Sequence, residues 1–157
     1  MALFGGATER KGLGMASDLR QLVYISDASY GLSKLDIESI LASSRRNNAE
    51  ANVSGMLLYS SGVFIQTLEG EPETIEGLYK TISDDRRHEN VDTVSDRFVS
   101  DRSFAGWAMG FVEKAPEEVG SKIGINGLLD REEALAALSE SEELATTMLR
   151  DFAQNLY

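Results

Sequence analysis

Short apolar runs in this chain alternate with segments in which apolar residues recur at helical spacing. The runs are dense in Val, Ile, Leu, Tyr and Phe, which fit the pleated surface of a sheet. Ser60, Ser61 and Gly62 join two of them in the manner of a hairpin. The pattern therefore predicts five strands, over 22–26, 53–59, 63–68, 91–99 and 104–112. In the last strand, Trp107, Met109 and Phe111 alternate with small residues and are predicted to face one way.

Helical spacing appears first after Ser33, a predicted N-cap with Asp36 three places on, and runs towards Asn47 and Asn48. Its apolar positions are Leu35, Ile37, Ile40 and Leu41. A second helix is predicted to start at Pro72, because proline fits the first turn. Its apolar stripe of Ile75, Leu78, Tyr79 and Ile82 leads into the polar cluster 84–88. Two short helices are predicted near the C-terminus, over 131–138 and 141–156.

The order strand, helix, strand, strand, helix, strand, strand predicts an α/β ferredoxin-like sandwich (βαββαββ). We expect a mixed five-stranded sheet, with the third strand antiparallel between the first two and with two helices on one face. The two short C-terminal helices either cover the opposite face or pair with a second copy. Residues 1–18 are interpreted as a flexible leader, in which Met15 is a candidate start. Residues 19–114 are interpreted as the main domain, and 115–157 as a connector and helical cap.

Composition narrows the function classes. The chain has 157 residues with a formal charge of −11, which disfavours nucleic acid and anionic membrane surfaces as partners. It has no cysteine and one histidine, so we predict neither a disulfide framework nor a metal site. No apolar run reaches the roughly 18 residues that a membrane span requires. A cytoplasmic protein is the expected class.

The candidate chemistry centres on Gln66, a primary amide in the middle of an apolar strand. Leaving the groups of a buried amide unpaired costs about 1–3 kcal/mol each, so Gln66 needs polar neighbours or a ligand. In the predicted topology Tyr24 lies on the adjacent strand, and Asn47 and Asn48 end the first helix nearby. Amides that donate and accept hydrogen bonds, between aliphatic walls that include Ile40 and Ile82, match a flat heterocycle with an imide edge. The residues alone leave another interpretation open, in which Tyr24 is a core residue, Gln66 faces solvent and the asparagines terminate a helix.

Several ordered blocks resemble the BLUF family, the blue-light sensors using flavin, over about Leu19 to Lys114. They are Leu22-Val23-Tyr24-Ile25-Ser26, Ser43-Ser44-Arg45-Arg46-Asn47-Asn48, Val53-Ser54-Gly55-Met56-Leu57-Leu58-Tyr59, Phe64-Ile65-Gln66-Thr67-Leu68-Glu69-Gly70-Glu71, Asp85-Arg86-Arg87-His88 and Trp107-Ala108-Met109-Gly110-Phe111. The resemblance implies a flavin-binding photoreceptor. Tyr24 matches the photoactive tyrosine and Gln66 the switching glutamine, while Trp107 and Met109 match the pair that relays the signal.

The same resemblance implies how flavin is held. Asn48 matches the asparagine at the pyrimidine edge, and Asn47 a more variable neighbour. Ile40 and Ile82 fall where aliphatic side chains pack on the isoalloxazine. Asp85, Arg87 and His88 fall where the ribityl and phosphate tail emerges, although an exposed His88 at a helix end also fits a surface cap. FAD is the first candidate, and the ring contacts would serve FMN or riboflavin alike.

The implied output is contact with a downstream signalling protein, from a homo-oligomer that is a dimer or a larger ring. No cyclase, phosphodiesterase or DNA-binding segment follows Lys114, so we expect a sensor and not an enzyme. Two other classes stay open. An acylphosphatase-like enzyme would use Arg45, Arg46 and Asn48 to hold a phosphate. A ligand-free regulatory or RNA-binding sandwich is disfavoured by the acidic charge.

Overall fold

A mixed sheet with helices on both faces forms the described part of the chain, which in the computed structural model comprises residues 18–125 and 129–154. The strands are β1 (Leu19–Ala28), β2 (Ser54–Ser60), β3 (Val63–Gly70), β4 (His88–Val99) and β5 (Gly110–Glu113). The helices are α1 (Lys34–Ala51), α2 (Pro72–Asp84), α3 (Pro116–Ile123), α4 (Arg131–Ser139) and α5 (Leu144–Gln154). The predicted leader falls almost wholly outside the described residues.

The strand order is β4-β1-β3-β2-β5. β3 lies antiparallel between β1 and β2, β4 is antiparallel to β1, and β5 runs parallel to β2. The register places Tyr24 of β1 directly opposite Gln66 of β3, and Gln66 opposite Leu57 of β2. The predicted ferredoxin-like core is confirmed, including the neighbouring positions of Tyr24 and Gln66.

Local chemistry accounts for two of the element boundaries. Ser33 caps α1: its hydroxyl accepts from the amide of Asp36 at 3.1 Å, and the Asp36 carboxylate accepts from the amide of Ser33 at 2.8 Å. The β2–β3 hairpin turns through Ser61 and Gly62, which both have positive φ. Two such residues make the type I′ turn whose twist matches that of the flanking strands.

Each face of the sheet carries its own apolar cluster. Tyr24, Leu57, Phe64 and Met109 belong to the cluster beneath α1 and α2, which we call the pocket face. Met56 and Ile65 belong to the opposite cluster, beneath α3, α4 and α5, which we call the cap face. The C-terminal helices therefore cover the sheet face opposite α1 and α2, which is the first of the two roles predicted for them.

The fifth strand and the following connector differ from expectation. Only Gly110–Glu113 pair as a strand, and before them, within the described residues, a single backbone bond, from the amide of Gly55 to the carbonyl of Trp107 at 3.0 Å, joins the chain to β2. We call residues 102–109 the crossing segment. The predicted connector contains α3, which begins at Pro116, buries Val119 and Ile123 one turn apart, and ends at Gly124 with φ 80°. The exposed Leu35 does not belong to the buried stripe of α1.

Among the described residues, no helix combines the length and the hydropathy needed to traverse a membrane.

Candidate functional site

A cavity of about 120 Å³ opens on the pocket face, between α1 and α2. The first helix contributes its last turns, the second its C-terminal half, and the sheet contributes β3 and the start of β4. The lining residues are Ile40, Ser43, Ser44, Asn47, Asn48, Gln66, Leu68, Leu78, Thr81, Ile82, Asp85, Arg87 and His88. The structure therefore brings every sequence-predicted flavin-contacting residue to one cavity.

Tyr24 lies behind the cavity wall and not on it, since it is absent from the lining and has no exposed surface. Its hydroxyl donates to Oε1 of Gln66, whose side chain is 4% exposed at the wall. The sequence interpretation placed the phenol inside the pocket. In the structure, the phenol reaches the cavity only through the amide of Gln66.

The amide of Gln66 is held from both ends. While Oε1 accepts from Tyr24, Nε2 donates to the sulfur of Met109 at 3.2 Å. A thioether sulfur accepts hydrogen bonds weakly and donates none. The observed orientation is therefore the one in which both ends of the amide have a partner among these side chains.

Burial sets the protonation of Tyr24. Desolvation raises the pKa of its phenol far above the ordinary value of 10, and the nearby Tyr79 and Asp85 raise it further. The hydroxyl consequently keeps its proton across the physiological pH range. Tyr24 can thus serve as a hydrogen-bond donor to Gln66 in the resting protein.

The end of α1 is fastened to the crossing segment. Nδ2 of Asn48 donates to the carbonyl oxygen of Ala108 at 2.7 Å, and Nε of Arg45 donates to that of Met109 at 2.9 Å. Asn48 is buried and Asn47 exposed, although both line the cavity. Because Arg45 and Asn48 are engaged with backbone carbonyls, the geometry does not support the acylphosphatase-like alternative.

Asp85, Arg87 and His88 lie at the other end of the cavity. Arg87 donates to both carboxylate oxygens of Asp85, with Nη2 to Oδ2 at 2.7 Å. This hydrogen bonding lowers the pKa of Asp85 and raises that of Arg87, so both stay charged. The pair offers an anion a guanidinium whose charge is already partly balanced.

His88 differs from the surface cap considered from sequence. It opens β4, is buried, and places Nδ1 3.1 Å from the hydroxyl of Ser26. Burial lowers the pKa of its imidazole, which favours the neutral form at pH 7. The reason for the difference is that the chain re-enters the sheet at His88, three residues earlier than its hydrophobic pattern indicates.

Trp107 and Met109 lie on opposite faces, which corrects the prediction that they face one way. Trp107 packs on the cap-face cluster, whereas Met109 belongs to the pocket-face cluster. The indole lies so close to Gly110 that a Cβ there would stand 2.0 Å from its Cε3 atom. Strict strand alternation fails because residues before Gly110 do not pair as a strand.

Sequence reasoning missed Glu69, a carboxylate without exposed surface at the end of β3. Its oxygens accept from the amides of Ser103 and Phe104 at 2.7 and 3.0 Å. A charged residue at the buried end of an apolar strand was the available signal, since buried carboxylates occur where several donors meet. The carboxylate of Glu69 thus fixes the start of the crossing segment.

Comparison with known families agrees with this geometry. A family model described as "BLUF: Sensors of blue-light using FAD" matches residues 19–110. Photoactivated adenylate cyclase subunit beta from Euglena longa is 39% identical over 94 residues, which are 59% of this chain and 11% of that protein. The chain thus spans about a tenth of the length of this curated relative.

Two solved structures show the fold. A bacterial light-regulated adenylyl cyclase is 41% identical with a TM-score of 0.57, over 60% of this chain and 27% of the other. BlrB, a BLUF protein in its dark state, is 26% identical with a TM-score of 0.68, over 87% of this chain and 97% of the other. The likeness to BlrB extends beyond the residues that the family model matches.

Proposed function

The chain belongs to the BLUF family of blue-light sensors, whose cofactor is flavin, and from that premise we propose that light acts on it by rearranging the hydrogen bonds of Gln66. The observation that carries the proposal is the amide of Gln66 at the cavity wall, between the hydroxyl of Tyr24 and the sulfur of Met109.

The lining fits a flavin. Aliphatic side chains at Ile40, Leu68 and Ile82 suit the faces of a flat ring system, and the amides of Asn48 and Gln66 suit its polar edge. Nδ2 of Asn48 donates one of its two hydrogens to Ala108, which leaves its carbonyl oxygen and its second N–H for the ligand. Arg87 with Asp85, near His88, suits the ribityl and phosphate tail. Bound flavin would supply blue-light absorption and, when excited, oxidising power.

We assign Tyr24 the role of electron and proton donor. Its raised pKa keeps the hydrogen on Oη in the dark, and that hydrogen already points at Oε1 of Gln66. Loss of an electron makes a phenol strongly acidic, so the proton leaves Oη along this hydrogen bond. When the electron and proton return to Tyr24, no lasting product remains.

Gln66 is the group left changed. Rotation of its amide exchanges Oε1 and Nε2, and the sulfur of Met109 offers no hydrogen to the oxygen that would then face it. Rotation therefore weakens the contact with Met109 and turns Nε2 towards Tyr24. A net change of about 1 kcal/mol in hydrogen bonding can shift only a segment whose two conformations have nearly equal free energy. We assign this part to the crossing segment, because it ends at Met109, next to Gln66.

The proposed output is altered contact between the C-terminal helices and a downstream protein, without catalysis by this chain. Support comes from the likeness to BlrB, which covers 87% of this chain and 97% of that BLUF protein, and so extends beyond residues 19–110. A homo-oligomeric state and a cytoplasmic location remain predictions.

The deciding experiment is the visible absorption spectrum of the purified protein with FAD, in the dark and under blue light. We expect a yellow protein and a small, reversible red shift. Gln66→Leu should still bind flavin, because the aliphatic walls remain, but should show no shift. A colourless protein that takes up no added flavin would refute the cavity assignment, and a normal shift in Gln66→Leu would remove Gln66 from the mechanism.

A further inference from the structure

Four polar side chains cross the cap face of the sheet at one level. Ser54, Glu69, Gln21 and Arg97 stand directly opposite one another on β2, β3, β1 and β4, and we call them the polar row. Ser54 donates to Oε1 of Glu69 at 3.0 Å, Gln21 donates to Oε2 at 2.8 Å, and Arg97 donates to Oε1 of Gln21 at 3.0 Å. Neither flavin contact nor Tyr24 chemistry uses this row.

Glu69, an inner member of the polar row, holds the crossing segment. The carboxylate of Glu69 accepts from the amides of Ser103 and Phe104. Five residues after Phe104, the sulfur of Met109 accepts from Gln66. A short segment thus joins the buried carboxylate on the cap face to the proposed switch on the pocket face.

Gln21, the other inner member of the polar row, holds α5. The hydroxyl of Thr146 donates to Oε1 of Gln21 at 3.3 Å, and Thr146 is 3% exposed. The single amide of Gln21 therefore bonds Glu69 through its nitrogen and Thr146 through its oxygen. A shift of the Glu69 carboxylate changes the position of the group that anchors α5.

We propose that Glu69 and Gln21 are positioning residues that couple the Gln66–Met109 contact to α5. This inference rests on the proposed function and names its internal route. When Met109 loses its bond to Gln66, its end of the crossing segment is held only by the backbone contacts with α1 and β2, while Glu69 still binds the amides of Ser103 and Phe104. The resulting displacement reaches Gln21 and then Thr146, because buried hydrogen-bonded groups move together or leave a partner unpaired.

The test compares Thr146→Val with Thr147→Val in the full chain loaded with FAD. Thr147 is the exposed neighbour, so the second variant makes the same chemical change away from the polar row. Amide hydrogen exchange of α5 is measured in darkness and under continuous blue light. We expect rates that differ by about threefold in the unmodified protein and in Thr147→Val, and no difference in Thr146→Val.

A second variant tests the other end. Glu69→Gln keeps the shape of the side chain, but its NH₂ group cannot accept from a backbone amide, so the hold on Ser103 or Phe104 is lost. We expect dark recovery of the red-shifted state to change by about fivefold. The matched control is Glu71→Gln, at an exposed carboxylate two residues on, which should leave recovery unchanged.

The outcomes separate the two claims. No red shift in the unmodified protein would refute the proposed function, and this inference with it. A normal red shift with an equal α5 response in both threonine variants would overturn the coupling alone. The coupling would also be overturned if the unmodified protein showed a normal red shift but no change in the hydrogen exchange of α5 under light.

Discussion

Replacing Tyr24 by Phe tests the proposed proton donor with the smallest change that the chain allows. The variant keeps the ring, which lies 5.8 Å from that of Tyr79 and 6.1 Å from that of His88, and loses only the hydroxyl. Flavin binding should persist, since Tyr24 does not line the cavity. The light-induced red shift should disappear, because Oη no longer carries a transferable proton.

The energetic cost follows from burial. Without the Tyr24 hydroxyl, Oε1 of Gln66 loses its donor at a site that is 4% exposed. An unsatisfied buried acceptor costs about 1–3 kcal/mol, so the free energy of unfolding should fall by that amount. The loss is too small to unfold a domain of ordinary stability, so the missing red shift would not result from unfolding.

Tyr79→Phe is the matched control. Its hydroxyl bonds Thr93 at 2.8 Å in an exposed setting, so its removal should cost no more than about 1 kcal/mol. Absorption difference spectra before and after blue light, together with urea unfolding, check both variants. A full red shift in Tyr24→Phe, or its loss in both variants, would contradict the assignment of Tyr24.

Three further predictions concern the ends of the cavity and the stability of the fold. Because burial lowers the pKa of His88 below 6.5, the unfolded chain binds this proton more readily than the folded chain does. The free energy of unfolding should therefore fall as the pH drops through 6.5. His88→Phe should abolish this contribution to the pH dependence, as measured by urea unfolding at several pH values. Arg87→Gln should weaken FMN binding by about tenfold and leave riboflavin binding nearly unchanged in fluorescence titrations, since only FMN carries a phosphate; equal losses would exclude Arg87 as a phosphate ligand. Ser33→Ala removes the cap of α1 and should cost about 1 kcal/mol in unfolding measurements without altering the red shift.

The sheet and the Tyr24–Gln66 pair could be predicted because their signals are local. Alternation of apolar residues identifies the strands, and a two-residue turn at Ser61 and Gly62 fixes the hairpin register. The ferredoxin-like order then requires β1 and β3 to be neighbours. The fold class and the meeting of these two side chains follow from those facts together.

The remaining features depend on tertiary contacts that the sequence pattern does not express. His88 looks polar and terminal, but its ring is buried beside Phe64, with a centroid separation of 4.9 Å. Trp107 and Met109 match strand alternation, yet the Glu69 carboxylate draws the backbone at Ser103 and Phe104 out of the strand path. A bond between residues more than thirty positions apart has no local signature.

The crossing segment also limits how this chain can vary in length. Phe104 is fixed in one apolar cluster and Met109 in the other, and five residue steps extend at most about 18 Å. Ala105 and Gly106 form an exposed turn that can take up an added residue, but an added residue between Trp107 and Met109 would pull the thioether away from Gln66 or the indole off its packing. We therefore expect an alanine inserted after Ala108 to abolish the proposed light response, and an alanine inserted after Ala105 to preserve it.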